Sequence, residues 1–130
     1  MESNTVAPAE SRRVTLNSCT VDITTTPSLV EVNVTGELDM DDADRVEQIL
    51  GEAAHSGRPI VRVRLSGLTF ADSSAIRAII LGAKAAKELG VVYELINPHG
   101  FVQRLLDLTG LTQALSVIHE PAYQEGPNSL

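Results

Sequence analysis

The chain has 130 residues, enough for one domain with a real core and too few for two. A hydrophobic fraction of 43% excludes a disordered chain, and a formal net charge of -7 argues against nucleic acid and anionic membrane surfaces, which attract clustered Lys and Arg. An aromatic fraction of 3% leaves few platforms for stacking bases.

The single cysteine, Cys19, has no internal partner, which points to a reducing compartment. The first residues lack the apolar stretch of a signal peptide, and no apolar run approaches the roughly 18 residues of a membrane span. The expected location is therefore cytoplasmic, with no membrane partner.

Residues 1–13 read as a disordered lead-in. Cys19, Val21 and Ile23 share one parity, as do Val30, Val32 and Val34, with Thr20, Asp22, Glu31, Asn33 and Thr35 between them. This period of two predicts a hairpin of half-buried strands turning at Pro27-Ser28. The stretch Gly36 to Asp42 then leads into a helix over 41–55, marked by Ala43, Val46, Leu50 and Ala53 and stopped at Gly57. Four aspartates crowd its start, where the helix dipole favours carboxylates. Capping accounts for Asp41, Asp42 and Asp44; Asp39 stands before the expected cap and is the candidate for facing a site.

A third strand is predicted over 60–65, with Val61, Val63 and Leu65 inward and Arg62 and Arg64 outward. The loop from Leu65 to Ser74 follows, and then a helix over 74–89 with Ile76, Ile79, Ile80, Ala83 and Leu89 as its apolar stripe. Asp72, Ser73 or Ser74 could each cap this helix, a role worth about 1 kcal/mol. Three polar groups in a row exceed what one cap requires, and the loop leaves the end of a parallel strand, where open α/β sheets place their sites. A fourth strand is expected over 91–96. Asn97 is the expected cap of a third helix opened by Pro98, with Phe101, Leu105 and Leu108 inward and Gly110 closing it. A short strand over 116–119 precedes a flexible tail, 120–130, so the folded domain is expected over 14–119.

Three strands alternate polar and apolar residues, so their helices should lie mainly on one face of the sheet. The predicted fold is α/β: a mixed sheet with an N-terminal hairpin followed by strand-helix crossovers. No catalytic, metal or cofactor site is expected. Ser74 lacks a Gly-x-Ser-x-Gly elbow, and no Gly-rich phosphate loop or metal-ligand spacing is present. His55, His99 and His119 read as surface or packing residues, and Cys19 as core. An aspartate-phosphorylating receiver domain fits poorly, because Asp72 leads directly into a helix and Lys84 and Lys87 lie in mid-helix.

Three segments carry a resemblance: Val34-Thr35-Gly36-Glu37-Leu38-Asp39, Leu68-Thr69-Phe70-Ala71-Asp72-Ser73-Ser74, and Leu108-Thr109-Gly110-Leu111. In this order and spacing the chain, from about Thr20 to His119, resembles the STAS-domain anti-sigma-factor antagonists. The resemblance implies a bacterial protein that binds an anti-sigma factor and so frees a sigma factor. That anti-sigma factor would also be a serine kinase using ATP, and a separate serine phosphatase would reset the switch. In the family motif Asp-Ser-[Ser/Thr]-Gly-Leu the phosphoacceptor precedes the glycine. This makes Ser74 the expected acceptor, with Ser73 the fallback. Asp39 and Asp72 would line the same patch, and the expected partner surface is Asp39, Asp72, Ser73, Ser74, Ala75, Ile76 and Arg77. The chain departs from the family pattern with Ala75 for glycine, Ile76 for leucine, and no closing helix. The alternative is a STAS module that is not phosphorylated and serves as a constitutive subunit of a transporter or signalling assembly.

Overall fold

A computed structural model describes residues 9–110 and 115–121. The elements in chain order are β1 (Glu10–Thr15), β2 (Cys19–Thr25), β3 (Leu29–Leu38), α1 (Met40–Ala54), β4 (Ile60–Arg64), β5 (Leu68–Ala71), α2 (Ser73–Leu89), β6 (Val92–Ile96), α3 (Gly100–Leu108) and β7 (Ser116–Ile118). The strands form one mixed sheet in the order β1-β2-β3-β4-β6-β7, with β5 beside β3. The β1-β2 and β2-β3 pairs are antiparallel, and the remaining pairs are parallel.

The alternation in the sequence sets the two faces. Val21, Val32, Val63 and Leu95 point from the sheet into one apolar core, where they meet Val46 and Leu50 of α1, Ile79 of α2, and Val102 and Leu106 of α3. The opposite face is polar. On it Arg62 pairs with Glu94 at 2.7 Å, Arg64 with Glu31 at 3.1 Å and Glu120 at 3.0 Å, and Arg13 with Asp22 at 2.7 Å. Such partly exposed pairs are each worth about 0–1 kcal/mol, so they keep this face wet more than they hold the fold together.

Several expectations needed correction. Glu10 to Arg13 belong to β1, an edge strand with one neighbour; its polar sequence hides it, because ladder bonds to β2 and the Arg13–Asp22 pair hold it. Leu68 to Ala71 form a strand, β5, within the expected loop. Asn97 does not cap α3. It takes a left-handed conformation, φ 55°, in which its side-chain oxygen accepts from the Glu120 amide at 2.6 Å, and His99 occupies the cap position. In α3 the buried face is carried by Val102 and Leu106, while Leu108 is exposed. In α2, Ile80 and Leu89 are also exposed, and Ala75, Ala78 and Gly82 complete the buried stripe. Glu120 is tied to Asn97 and Arg64, so it is not part of a free tail. The Phe101 side chain, Leu111, residues 1–8 and residues 122–130 lie outside the described part of the chain.

Candidate functional site

The site is built where β3 changes partner. From Leu29 to Asn33 the strand pairs with β4, and from Gly36 to Leu38 it pairs with β5, with a register shift between Gly36 and Glu37. Gly36 makes the bend possible. Its φ is +99°, and a Cβ there would sit 2.7 Å from the Ser18 carbonyl oxygen. The Gly36 amide donates to the Gly67 carbonyl at 3.0 Å, while Thr69 Oγ1 donates to the Gly36 carbonyl at 3.0 Å. Leu38 and Ala71 are consequently partners at the carboxyl ends of two adjacent parallel strands. Each strand is followed at once by an aspartate and a helix.

Both aspartates are caps. Asp39 accepts the Asp41 amide at 3.0 Å, which makes it the N-cap of α1 rather than a residue standing ahead of the cap. Asp72 caps α2, its Oδ1 accepting the amides of Ser74 at 3.0 Å and Ala75 at 3.1 Å and the Ser74 hydroxyl at 2.6 Å. The hydroxyl bond has the length of a charge-assisted contact. The Ser74 hydroxyl is the main cause that holds the Asp72 carboxyl below its ordinary pKa; the Ala75, Ser74 and Met40 amides add to it against the opposing effect of burial.

The expected surface residues separate by exposure. Ser73 and Arg77 are exposed, and Asp39, Asp72 and Ser74 are half-buried at the helix starts. Ala75 and Ile76 are buried in the core, so neither offers its side chain to a partner. The methyl of Ala75 therefore points away from the surface around Ser74. Two apolar side chains not picked out by the sequence stand beside the pair of caps: Met40, 74% exposed, and Phe70, 39% exposed. A large apolar residue next to an acidic helix start was the available signal, since burying it has no use inside a capped first turn.

Asp42 has a role that capping did not anticipate. It is buried, and its carboxylate accepts the Asn17 amide at 3.1 Å, the Asn17 side-chain amide at 2.8 Å and the Ser18 amide at 2.8 Å. It pins the β1-β2 turn against α1. Cys19 is buried beside it, and burial first, then the Asp42 charge, pushes the thiol up to about 11. Two of the three histidines are engaged elsewhere: His55 contacts the Gly51 carbonyl at 2.9 Å and His99 the Ser66 carbonyl at 2.6 Å. Among the described residues no group of His, Cys, Asp and Glu is placed to hold a metal, and no helix is long and apolar enough to cross a membrane.

A mixed sheet with a leading hairpin, one helical face, and paired aspartate caps at the ends of two parallel strands defines a STAS-type fold. The family model described as "Mlab, STAS domain" matches residues 21–119, and the chain belongs to the STAS-domain family. No curated protein sequence matches it. Among solved structures it is similar to an anti-sigma factor antagonist from Mycobacterium paratuberculosis, with a TM-score of 0.67 and 19% identity over 87% of this chain and 89% of that one. It is also similar to the Bacillus cell fate determinant SpoIIAA in its phosphorylated form, with a TM-score of 0.62 and 16% identity over 87% and 93%. A sulfate transporter family protein from Wolinella succinogenes aligns with a TM-score of 0.58 and 17% identity over 67% and 73%. At these identities the structures establish a shared fold.

Proposed function

We propose that this protein is an anti-sigma factor antagonist, acting by binding rather than catalysis and switched off by phosphorylation of Ser74. The observation that carries the reading is the Ser74 hydroxyl, 2.6 Å from Asp72 at the start of α2, with the Asp39 cap on the neighbouring strand end. The partner is an anti-sigma factor with serine kinase activity, and a serine phosphatase reverses the modification. Asp39, Met40, Phe70, Asp72, Ser73 and Arg77 surround the acceptor and form the docking edge. Ser73 is the alternative acceptor, exposed at the first helical position.

A phosphate adds about -1.5 to -2 charges at this point. The helix dipole stabilises that charge by roughly 0.3–1 kcal/mol, so the fold survives the modification. The Asp39 and Asp72 carboxylates oppose it, and where a partner removes water from the edge an unmatched charge costs several kcal/mol. Phosphorylation therefore acts on binding. Incubation with ATP and kinases of the native cytoplasm, followed by mass spectrometry, tests the acceptor: phosphate on Ser74, absent from Ser74→Ala, is expected. A Ser74→Asp chain that binds the partner as tightly as the unmodified protein would refute the switch.

The likeness to a sulfate transporter family protein supports a second reading, a constitutive STAS subunit of a transporter or signalling assembly. In that case Ser74 stays unmodified under every kinase condition, and partner binding is indifferent to the substitution.

A further inference from the structure

A second feature lies at the other end of α1, about 20 Å from Met40 at the rise of an α-helix. The register of β1 on β2 places Glu10 opposite Thr25, Arg12 opposite Ile23 and Val14 opposite Val21. Strand alternation therefore puts Glu10, Arg12 and Val14 in one row on the helical side of the sheet. Val14 packs against the core, but the next two positions carry charges. Between them and the last turns of α1 is a cavity of about 340 Å³, within the size range of small-molecule pockets. Ile23, Val30, Ile49 and Ala53 form its apolar lining, and Glu10, Arg12 and Glu52 stand at its polar edge.

Inward-pointing charges can guard a sheet edge against pairing with another chain. That role needs one charge on the strand, and it asks for neither an apolar lining nor a facing carboxylate on α1. Among the described residues the ion pairs are Arg13–Asp22, Arg62–Glu94, Arg64–Glu31 and Arg64–Glu120, so none of the three charged groups around the cavity is in an ion pair with another of them. One cation and two carboxylates thus share a compartment with an apolar surface, all three exposed.

We propose that this cavity binds a small zwitterion with an apolar side chain, in the chemical class of the aliphatic α-amino acids. The side chain lies on Ile23, Ile49 and Ala53, the carboxylate meets the Arg12 guanidinium, and the ammonium sits between Glu10 and Glu52. The inference is independent of phosphorylation at Ser74. It assigns the domain a ligand site at the end opposite its docking edge.

The test uses the full chain with labelled isoleucine methyl groups, titrated with leucine and followed by NMR. Saturable shifts are expected at Ile23 and Ile49, with Ile118 on β7 unmoved. 3-Methylbutylamine lacks the carboxylate and 4-methylpentanoate lacks the ammonium; each is expected to bind about tenfold or more weakly, the loss of one charge-assisted contact. Arg12→Ala and Glu52→Gln replace exposed side chains, keep the fold, and should weaken leucine by a similar factor. Absence of saturable shifts at tens of millimolar leucine would overturn the proposal. So would equal binding of either analogue, or midpoints that both variants leave unchanged.

Discussion

Replacing Asp42 with asparagine is the sharpest test of how this domain is held together. The carboxylate is buried and satisfies three donors: Oδ1 accepts both Asn17 groups, and Oδ2 accepts the Ser18 amide. Asparagine keeps one oxygen and turns the other acceptor into an NH2 group. If the oxygen stays on Asn17, a donor faces the Ser18 amide; if it flips, the Asn17 bonds are lost. One buried donor left unsatisfied costs about 1–3 kcal/mol, and the surviving bonds lose their charge assistance. The expected destabilisation at pH 7 is about 3 kcal/mol, or near 10 °C in Tm for a domain of this size.

The pH dependence carries a sign that can be checked in the same experiment. Burial by itself would raise the Asp42 pKa, but the bonds from the Ser18 amide, the Asn17 side chain and amide, and the Cys19 thiol outweigh it and hold the group below its ordinary 3.8. A depressed native pKa means that this stability is present above the unfolded value and lost as pH falls through the native one. The gap between wild type and Asp42→Asn should therefore be full at pH 7 and close progressively in acid below the ordinary value. Urea unfolding at a series of pH values, followed by circular dichroism, measures it. A variant within about 0.5 kcal/mol of wild type at pH 7, or a gap that acid leaves unchanged, would refute the reasoning.

Asp72→Ala removes the cap of α2 and should cost about 1–2 kcal/mol in thermal unfolding. Ser74→Ala removes the first cause of the low Asp72 pKa, so an NMR titration of the Asp72 carboxyl should move up towards 3.8. Gly36→Ala combines a positive φ with a Cβ 2.7 Å from the Ser18 carbonyl, and a loss of about 2–3 kcal/mol is expected by denaturant unfolding. Gly82→Ala brings a methyl 2.7 Å from the Tyr93 hydroxyl oxygen, which donates to the Ile79 carbonyl at 3.0 Å. In a double-mutant cycle with Tyr93→Phe, the alanine should be about 1 kcal/mol less harmful once that oxygen is gone.

The fold was legible wherever burial wrote a period into the sequence. Val21, Val32 and Val63 alternate because the sheet has one dry face, and Val46 and Leu50 recur because α1 covers it. The unreadable elements are those that burial does not govern. Strand β1 is an exposed edge held by ladder bonds, and β5 is four residues long with Thr69 and Phe70 exposed at its centre. The site was half legible for the same reason. An aspartate before a helix announces a cap, and the motif around Ser74 marks the loop. What the sequence conceals is which of four nearby acids turns inward, since Asp39, Asp41, Asp42 and Asp44 differ in role only through the hairpin folding back onto α1.

That difference separates stability from signalling within a single acidic stretch. Asp42 is buried beneath the exposed Asn17-Ser18 turn and both of its carboxylate oxygens accept hydrogen bonds from it, so altering its charge perturbs the fold. Asp39 is three residues earlier, within the same turn of the helix, yet it looks out beside Asp72, where one cap bond suffices and lone pairs remain for water or a partner. The Ser18 carbonyl joins the two environments: it accepts the Glu37 amide at 2.9 Å and crowds Gly36, the residue that turns β3 towards β5. The buried acid thus fixes the turn that fixes the bend, and the bend sets the two half-buried capping acids side by side. A charge added at Ser74 meets the two capping acids without touching the buried pin. The same architecture that stabilises the helix starts therefore leaves them free to change partners without unfolding.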